Sequence, residues 1–233
     1  MNPLLATVLT LIAALAWLRI MDFAAHQGWI ESRLSRKIIH IGTGPIFVLC
    51  WLMYPGLWYD RYLAALVPGL ITVQFALIGL GIIKDEASVK AMSRTGDPKE
   101  ILRGPLYYGI MFVLLTILFW KDNPIGMTAL MMMCGGDGIA DVVGRRIQSP
   151  KLAWSSEKSI AGTLSVFVGG VLFSLFILGV YVALSIFPGP FSNYLLPILV
   201  IGLVSMAVES LPHKDVDNIT MTLAAAITGW FLF

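Results

Sequence analysis

The chain has 233 residues, of which 58% are hydrophobic and only 13% charged, with a mean hydropathy of +0.82. A water-soluble domain carries roughly 25% charged residues, so a soluble globular, disordered or disulfide-rich secreted protein is excluded. A net charge of +2 without a long basic run excludes nucleic acid as a partner.

Taken in chain order, the apolar segments are residues 4–21, 38–54, 62–83, 105–120, 124–142, 160–186, 194–208 and 219–233. A bilayer core about 30 Å thick needs about 17–25 such residues per helix. The expectation is an all-α, polytopic integral membrane bundle of about eight (seven to eight) transmembrane helices, residues 1–233 forming one membrane-embedded domain. The first segment has neither a basic leader nor a clear cleavage site and reads as a span. With no Arg- and Ser-rich transit peptide, a bacterial plasma membrane is expected, or a thylakoid membrane for a mature organelle form. Cys50 and Cys134 lie in apolar runs and make no disulfide framework.

The charges support eight spans. Thirteen of the sixteen basic residues fall in alternate connections, 22–37, 84–104, 143–159 and 209–218, against Arg61 and Lys121 opposite. The positive-inside rule makes the rich side cytoplasmic, with both termini outward. The opposite connections are short Pro/Gly turns. The cytoplasmic ones are longer and hold nearly all the acids, so the chemistry is expected there.

The strongest signal is Gly136-Asp137-Gly138-Ile139-Ala140-Asp141 through Gly144-Arg145-Arg146. Asp137 and Asp141, four residues apart, share one helix face, and Arg145 continues it. Two carboxylates at membrane depth are costly unless paired or bound to a cation. Mg²⁺ takes one or two carboxylates plus substrate phosphates. The plainer alternative pairs the two aspartates with Arg145 and Arg146. In Lys151 to Thr163, Ser155 or Ser156 can cap the sixth span, and the first-turn amides with Lys158 and Ser159 would then receive a polyphosphate. Arg94 and Arg103 can grip phosphates or simply anchor the loop. His40 follows Arg36 and Lys37 by about a turn and can be a base, a ligand or a structural group. Glu209, Asp215, Asp217 and Asn218 gather at one membrane edge, either at the site or as a solvated loop.

These residues resemble the polyprenol kinase family, which includes phytol, farnesol and dolichol kinases. The resemblance rests on Arg36-Lys37-Ile38-Ile39-His40, Gly96-Asp97-Pro98, Arg103-Gly104-Pro105-Leu106-Tyr107-Tyr108, the Gly136–Arg145 stretch, and Glu157-Lys158-Ser159 with Ala161-Gly162-Thr163. The segments around Gly96 and Arg103 look most like phytol kinases. The resemblance implies phosphorylation of a membrane-dissolved long-chain isoprenoid alcohol by CTP with a divalent metal, in salvage towards tocopherol. On that reading Asp137 and Asp141 hold Mg²⁺ on the nucleoside triphosphate. Lys158, Arg145, Arg146, Lys151, Lys37, Arg94, Arg103 and Ser159 receive its phosphates. Asp97 or His40 accepts the alcohol proton. The prenol, CTP against UTP or ATP, and the oligomeric state stay open. The alternatives are a CTP-dependent cytidylyltransferase acting on a lipid phosphate, and a non-enzymatic membrane protein or transporter.

Overall fold

A computed structural model describes the whole chain except Arg94 and residues 213–215, so the expectation for Arg94 lies outside the described residues, as does that for Asp215. Helix α1 (Pro3–His26) starts where Asn2 Oδ1 accepts the Leu4 amide at 2.8 Å and Pro3, which has no amide hydrogen, fills the first turn. It ends before Gly28, whose φ of 73° suits glycine. Helix α2 (Ser32–Cys50) runs back along α1 and passes into a 3-10 turn, Trp51–Met53. Helix α3 (Asp60–Gly79) begins at the fully buried Asp60. That carboxylate closes the preceding turn, with Oδ2 accepting the amides of Gly56 at 2.7 Å and Leu57 at 2.8 Å. The short α4 (Glu86–Met92) and a 3-10 turn at Pro98–Leu102 lead to α5 (Gly104–Leu118), which packs on α3.

The next three pieces follow one another without a break: α6 (Pro124–Met131), a π-helical turn (Met132–Asp137) and α7 (Gly138–Arg146). Every residue from Met127 to Cys134 is 0% exposed. This rod is the core, with α2, α5, α8 and α10 packed around it, and its apolar surface on all sides is what a central helix requires. After it come a two-stranded antiparallel hairpin, β1 (Lys151–Leu152) and β2 (Ser155–Ser159), then α8 (Ile160–Ala183), α9 (Ser192–Glu209) and α10 (Asp217–Leu232).

Each apolar segment expected from the sequence lies mostly in helix, and the molecule is an all-α membrane protein. Among the described residues, five stretches are long and apolar enough to cross a membrane: Pro3–His26, Asp60–Gly79, Pro98–Leu118, Ile160–Ala183 and Ser192–Glu209. Helix α2 differs because its first turns carry Arg33, Arg36, Lys37 and His40. The rod differs because it ends in Asp141, Arg145 and Arg146, and α10 because it has only 16 residues.

One local expectation is corrected. Ser155 and Ser156 do not cap a helix; they lie in β2. The cap of α8 is Ser159, whose Oγ accepts the Gly162 amide at 3.2 Å.

Candidate active site

Four parts of the fold bring the charged motifs together. Helix α2 presents Lys37 and His40. The rod presents Asp137, Asp141 and Arg145 where it leaves the core. The hairpin and the α9–α10 junction supply Lys158, Glu209 and Asp217. All line one cavity of about 1110 Å³, which continues downward between α1, α2, α3 and α5 along apolar side chains.

The close approach of α2 and α7 depends on Gly138. A Cβ there would run into Ile41 Cγ1 and lie 3.2 Å from His40 Cδ2. The pair Gly144 and Gly162 does the same for α7 and α8, where an added Cβ would meet the partner's Cα at 3.4 Å.

Lys37 joins the aspartate pair. Its Nζ lies 3.7 Å from Asp137 Oδ2 and 3.7 Å from Asp141 Oδ2. Arg145 Nε donates to Asp141 Oδ1 at 3.0 Å. His40 Nε2 lies 3.3 Å from Asp137 Oδ2 and 3.2 Å from the Met133 carbonyl oxygen. Two acceptors face that nitrogen, so it carries the proton and donates. The Met133 carbonyl belongs to the π-helical turn, where hydrogen bonds shift from the fourth to the fifth residue and the helix register changes. Tyr108 steadies the arrangement: its ring lies 4.4 Å from that of His40, and its hydroxyl donates to the His40 carbonyl at 2.7 Å.

Lys158 stands apart from this group. Its Nζ donates to Glu209 and, at 2.8 Å, to Asp217 Oδ2. Burial disfavours its charge, but the two carboxylates outweigh burial and raise its pKa above the ordinary lysine value. Trp154 Nε1 donates to the Ser210 carbonyl at 3.1 Å, so the hairpin is clipped twice to the end of α9.

The start of α8 is not an open anion site. Its first amides already have partners: Ile160 bonds the Pro150 carbonyl at 3.0 Å, Ala161 bonds Ser149 Oγ at 3.0 Å, and Gly162 bonds Ser159 Oγ. The expectation that these groups await a phosphate is therefore corrected, since a bonded amide has no free hydrogen to offer an anion.

The other candidates separate clearly. Lys151 and Arg103 line the cavity; Lys151 also bonds the Glu157 carbonyl at 2.9 Å. Arg146 is exposed and does not line it. Asp97 is exposed and outside the lining; its carboxylate accepts the Lys99 amide at 2.9 Å and caps the 3-10 turn. The bridge from Lys37 to both aspartates and the part played by Tyr108 had no local signal beyond their presence in the quoted motifs. The edge cluster of Glu209 and Asp217 did have one, and it now has a partner, Lys158.

The fit of a divalent ion follows from the donor set. Asp137 and Asp141 are two hard oxygen donors on one face, on the wall of an open cavity, with a cation already placed between them. Among the described residues no group of three or more His, Cys, Asp or Glu side chains forms a dedicated cage. Two carboxylates without a cage suit an ion that draws its remaining ligands from phosphate oxygens and water.

Known proteins give a consistent picture. The chain is 37% identical over 226 residues to probable phytol kinase 3, chloroplastic, of Glycine max, covering 96% of this chain and 70% of that protein. It is 37% identical over 226 residues to farnesol kinase, chloroplastic, of Arabidopsis thaliana, covering 96% and 73%. It is 36% identical over 230 residues to phytol kinase 1, chloroplastic, of the same plant, covering 98% and 76%. These relatives are plant chloroplast proteins and lend no support to a bacterial membrane. No protein-family model and no solved structure matches the chain.

Proposed function

The chain belongs to the polyprenol kinase family of phytol and farnesol kinases, and from that premise we propose how its cavity works. The protein is an enzyme that phosphorylates an isoprenoid alcohol. On our reading the donor is CTP, the polar end of the cavity faces the cytoplasm or its organellar equivalent, and eight spans form one membrane domain over residues 1–233. On the same reading the membrane is a thylakoid and the product returns phytol to tocopherol synthesis.

The observation that carries this reading is one cavity with two chemistries. Its polar end holds Lys37, Asp137, Asp141 and Arg145; its deeper part is apolar. A water-borne nucleotide and a bilayer-dissolved alcohol meet where the two join.

In the reaction the alcohol oxygen forms a bond to the γ-phosphorus. The bond from that phosphorus to the bridging β–γ oxygen breaks, CDP leaves, and the hydroxyl proton is released. Such transfers pass through a loose transition state, so placement and charge neutralisation dominate. Asp137 and Asp141 would hold Mg²⁺, which when bound offsets phosphate charge. Lys37 and Arg145 stand beside the carboxylates and receive phosphate oxygens. His40 serves as a positioning residue: its Nε2–H is committed to Asp137 and the Met133 carbonyl, so that nitrogen does not take the alcohol proton.

The test is purified protein in detergent with Mg²⁺, phytol and CTP labelled at the γ-phosphate. Label entering the organic phase with CDP left behind is the expected result. Release of pyrophosphate with CMP joined to a lipid phosphate would refute the kinase reading in favour of a cytidylyltransferase.

A further inference from the structure

The apolar part of the cavity ends on buried side chains, and its α1–α3 side is lined by part-exposed ones. Thr10, Phe47, Val67 and Phe112, one from each of four helices, form the floor and are 1%, 5%, 2% and 2% exposed. The depth follows from the helix rise. His40 and Phe47 are seven positions apart on α2, and Tyr108, whose ring lies against that of His40, and Phe112 are four apart on α5. At 1.5 Å per residue the floor lies roughly 6–10 Å below His40. An isoprene unit extends by roughly 5 Å, from four carbon–carbon bonds of about 1.5 Å in a zigzag. Only one or two units fit beneath the reacting end.

The remainder of a longer chain must leave this pocket sideways, between helices. Towards the core, the wall between α2 and α5 is closed by a column of rings: His40 on Tyr108 at 4.4 Å, Tyr108 on Phe112 at 4.8 Å, Phe112 on Phe47 at 5.5 Å. The wall between α1 and α3 has no such column. It is lined by Ala14, Leu18, Ile71 and Phe75, apolar side chains that keep part of their surface open, whereas Thr10 and Val67 at the floor are buried. The cleft between these helices is therefore lined by buried side chains at its floor end and by part-exposed apolar ones towards the polar end.

We propose that the protein grips the hydroxyl-bearing one or two isoprene units and passes the rest of the chain between α1 and α3 into the bilayer. Chain length beyond the gripped units is then not a criterion of selection. This rests on the kinase reading.

The experiment compares geraniol, farnesol and geranylgeraniol in mixed micelles, each at equal mole fraction, using the unmodified protein and Ala14→Trp. The unmodified protein phosphorylates farnesol and geranylgeraniol at similar rates. A tryptophan in the cleft spares geraniol but reduces turnover of the longer alcohols by about tenfold or more, because excluded methylenes lose their burial. Equal loss on all three alcohols, or no loss on geranylgeraniol, would overturn the proposal. A second measurement does not need turnover: geranylgeraniol carrying a diazirine on its terminal unit is photolysed in the complex. Labelled peptides from α1 and α3 are expected, and label confined to Phe47 and Phe112 would overturn the route. If the unmodified protein phosphorylates none of the alcohols, the kinase reading fails by itself, and the photolabel still locates the tail.

Discussion

Replacing Lys158 by methionine separates two roles for this side chain. As a phosphate ligand, its loss would raise the KM for nucleotide and leave stability alone. The structure instead places Lys158 between Glu209 and Asp217, with side-chain exposures of 20%, 5% and 25%. Glu209 Oε2 already lacks a hydrogen-bond partner among the described residues. Lys158→Met therefore leaves a buried carboxylate beside a second one with no cation between them, a defect that costs about 3–5 kcal/mol. For a chain of this size that corresponds to a fall in Tm of roughly 6–20 °C. Thermal unfolding in detergent, followed by tryptophan fluorescence, is the assay. Adding Glu209→Gln to Lys158→Met should recover part of the loss, because the neutral amide removes the like-charge pair. The pH dependence has a definite sign. The folded pKa of Lys158 is raised above its ordinary value, so its contribution is complete below the unfolded value of about 10.4 and is lost as pH rises through the folded value. The unmodified protein should accordingly lose more stability than Lys158→Met between neutral and strongly alkaline pH. A Tm for Lys158→Met within about 2–4 °C of the unmodified protein would refute the reasoning, since it bounds the defect at about 1 kcal/mol.

Asp137→Asn should lower turnover by about 100-fold or more while leaving Tm nearly unchanged, because the carboxylate faces the cavity and its loss removes charge where phosphate is handled. His40→Phe should reduce activity by about 10- to 100-fold and raise the Mg²⁺ concentration for half-maximal rate, with little change in the KM for alcohol. A Mg²⁺ titration that does not move would show that His40 does not orient Asp137. Asp97→Ala should cost about 1 kcal/mol of stability through the lost cap yet keep turnover within about threefold; a larger kinetic loss would return Asp97 to the reaction.

The helices were legible because apolar runs of span length leave few alternatives in a chain this poor in charge. The aspartate pair was legible because a spacing of four residues places both on one face before any tertiary contact is known. What escaped was long-range or had no local signature. Lys158 finds its acids 51 and 59 residues away, so it looked like a free cation. The hairpin at 151–159 is a short polar stretch before an apolar run, which is also how a capped helix begins. The amides of α8 lost their place as an anion site to Ser149 and Pro150, whose positions depend on that hairpin. Nothing in Met132-Met133-Cys134-Gly135-Gly136-Asp137 distinguishes a π-helical turn from an α-helical one.

That turn sets the phase of the site. A single π turn amounts to one extra residue within an α-helix, and each α-helical residue advances the direction of its side chain by about 100°. Without the extra residue, everything beyond it on the rod would be turned by that angle. Asp137, Asp141 and Arg145 would keep their mutual spacing and still form one charged stripe. The stripe would point away from Lys37 and His40, and the cavity would lose its polar end although no charged residue had changed.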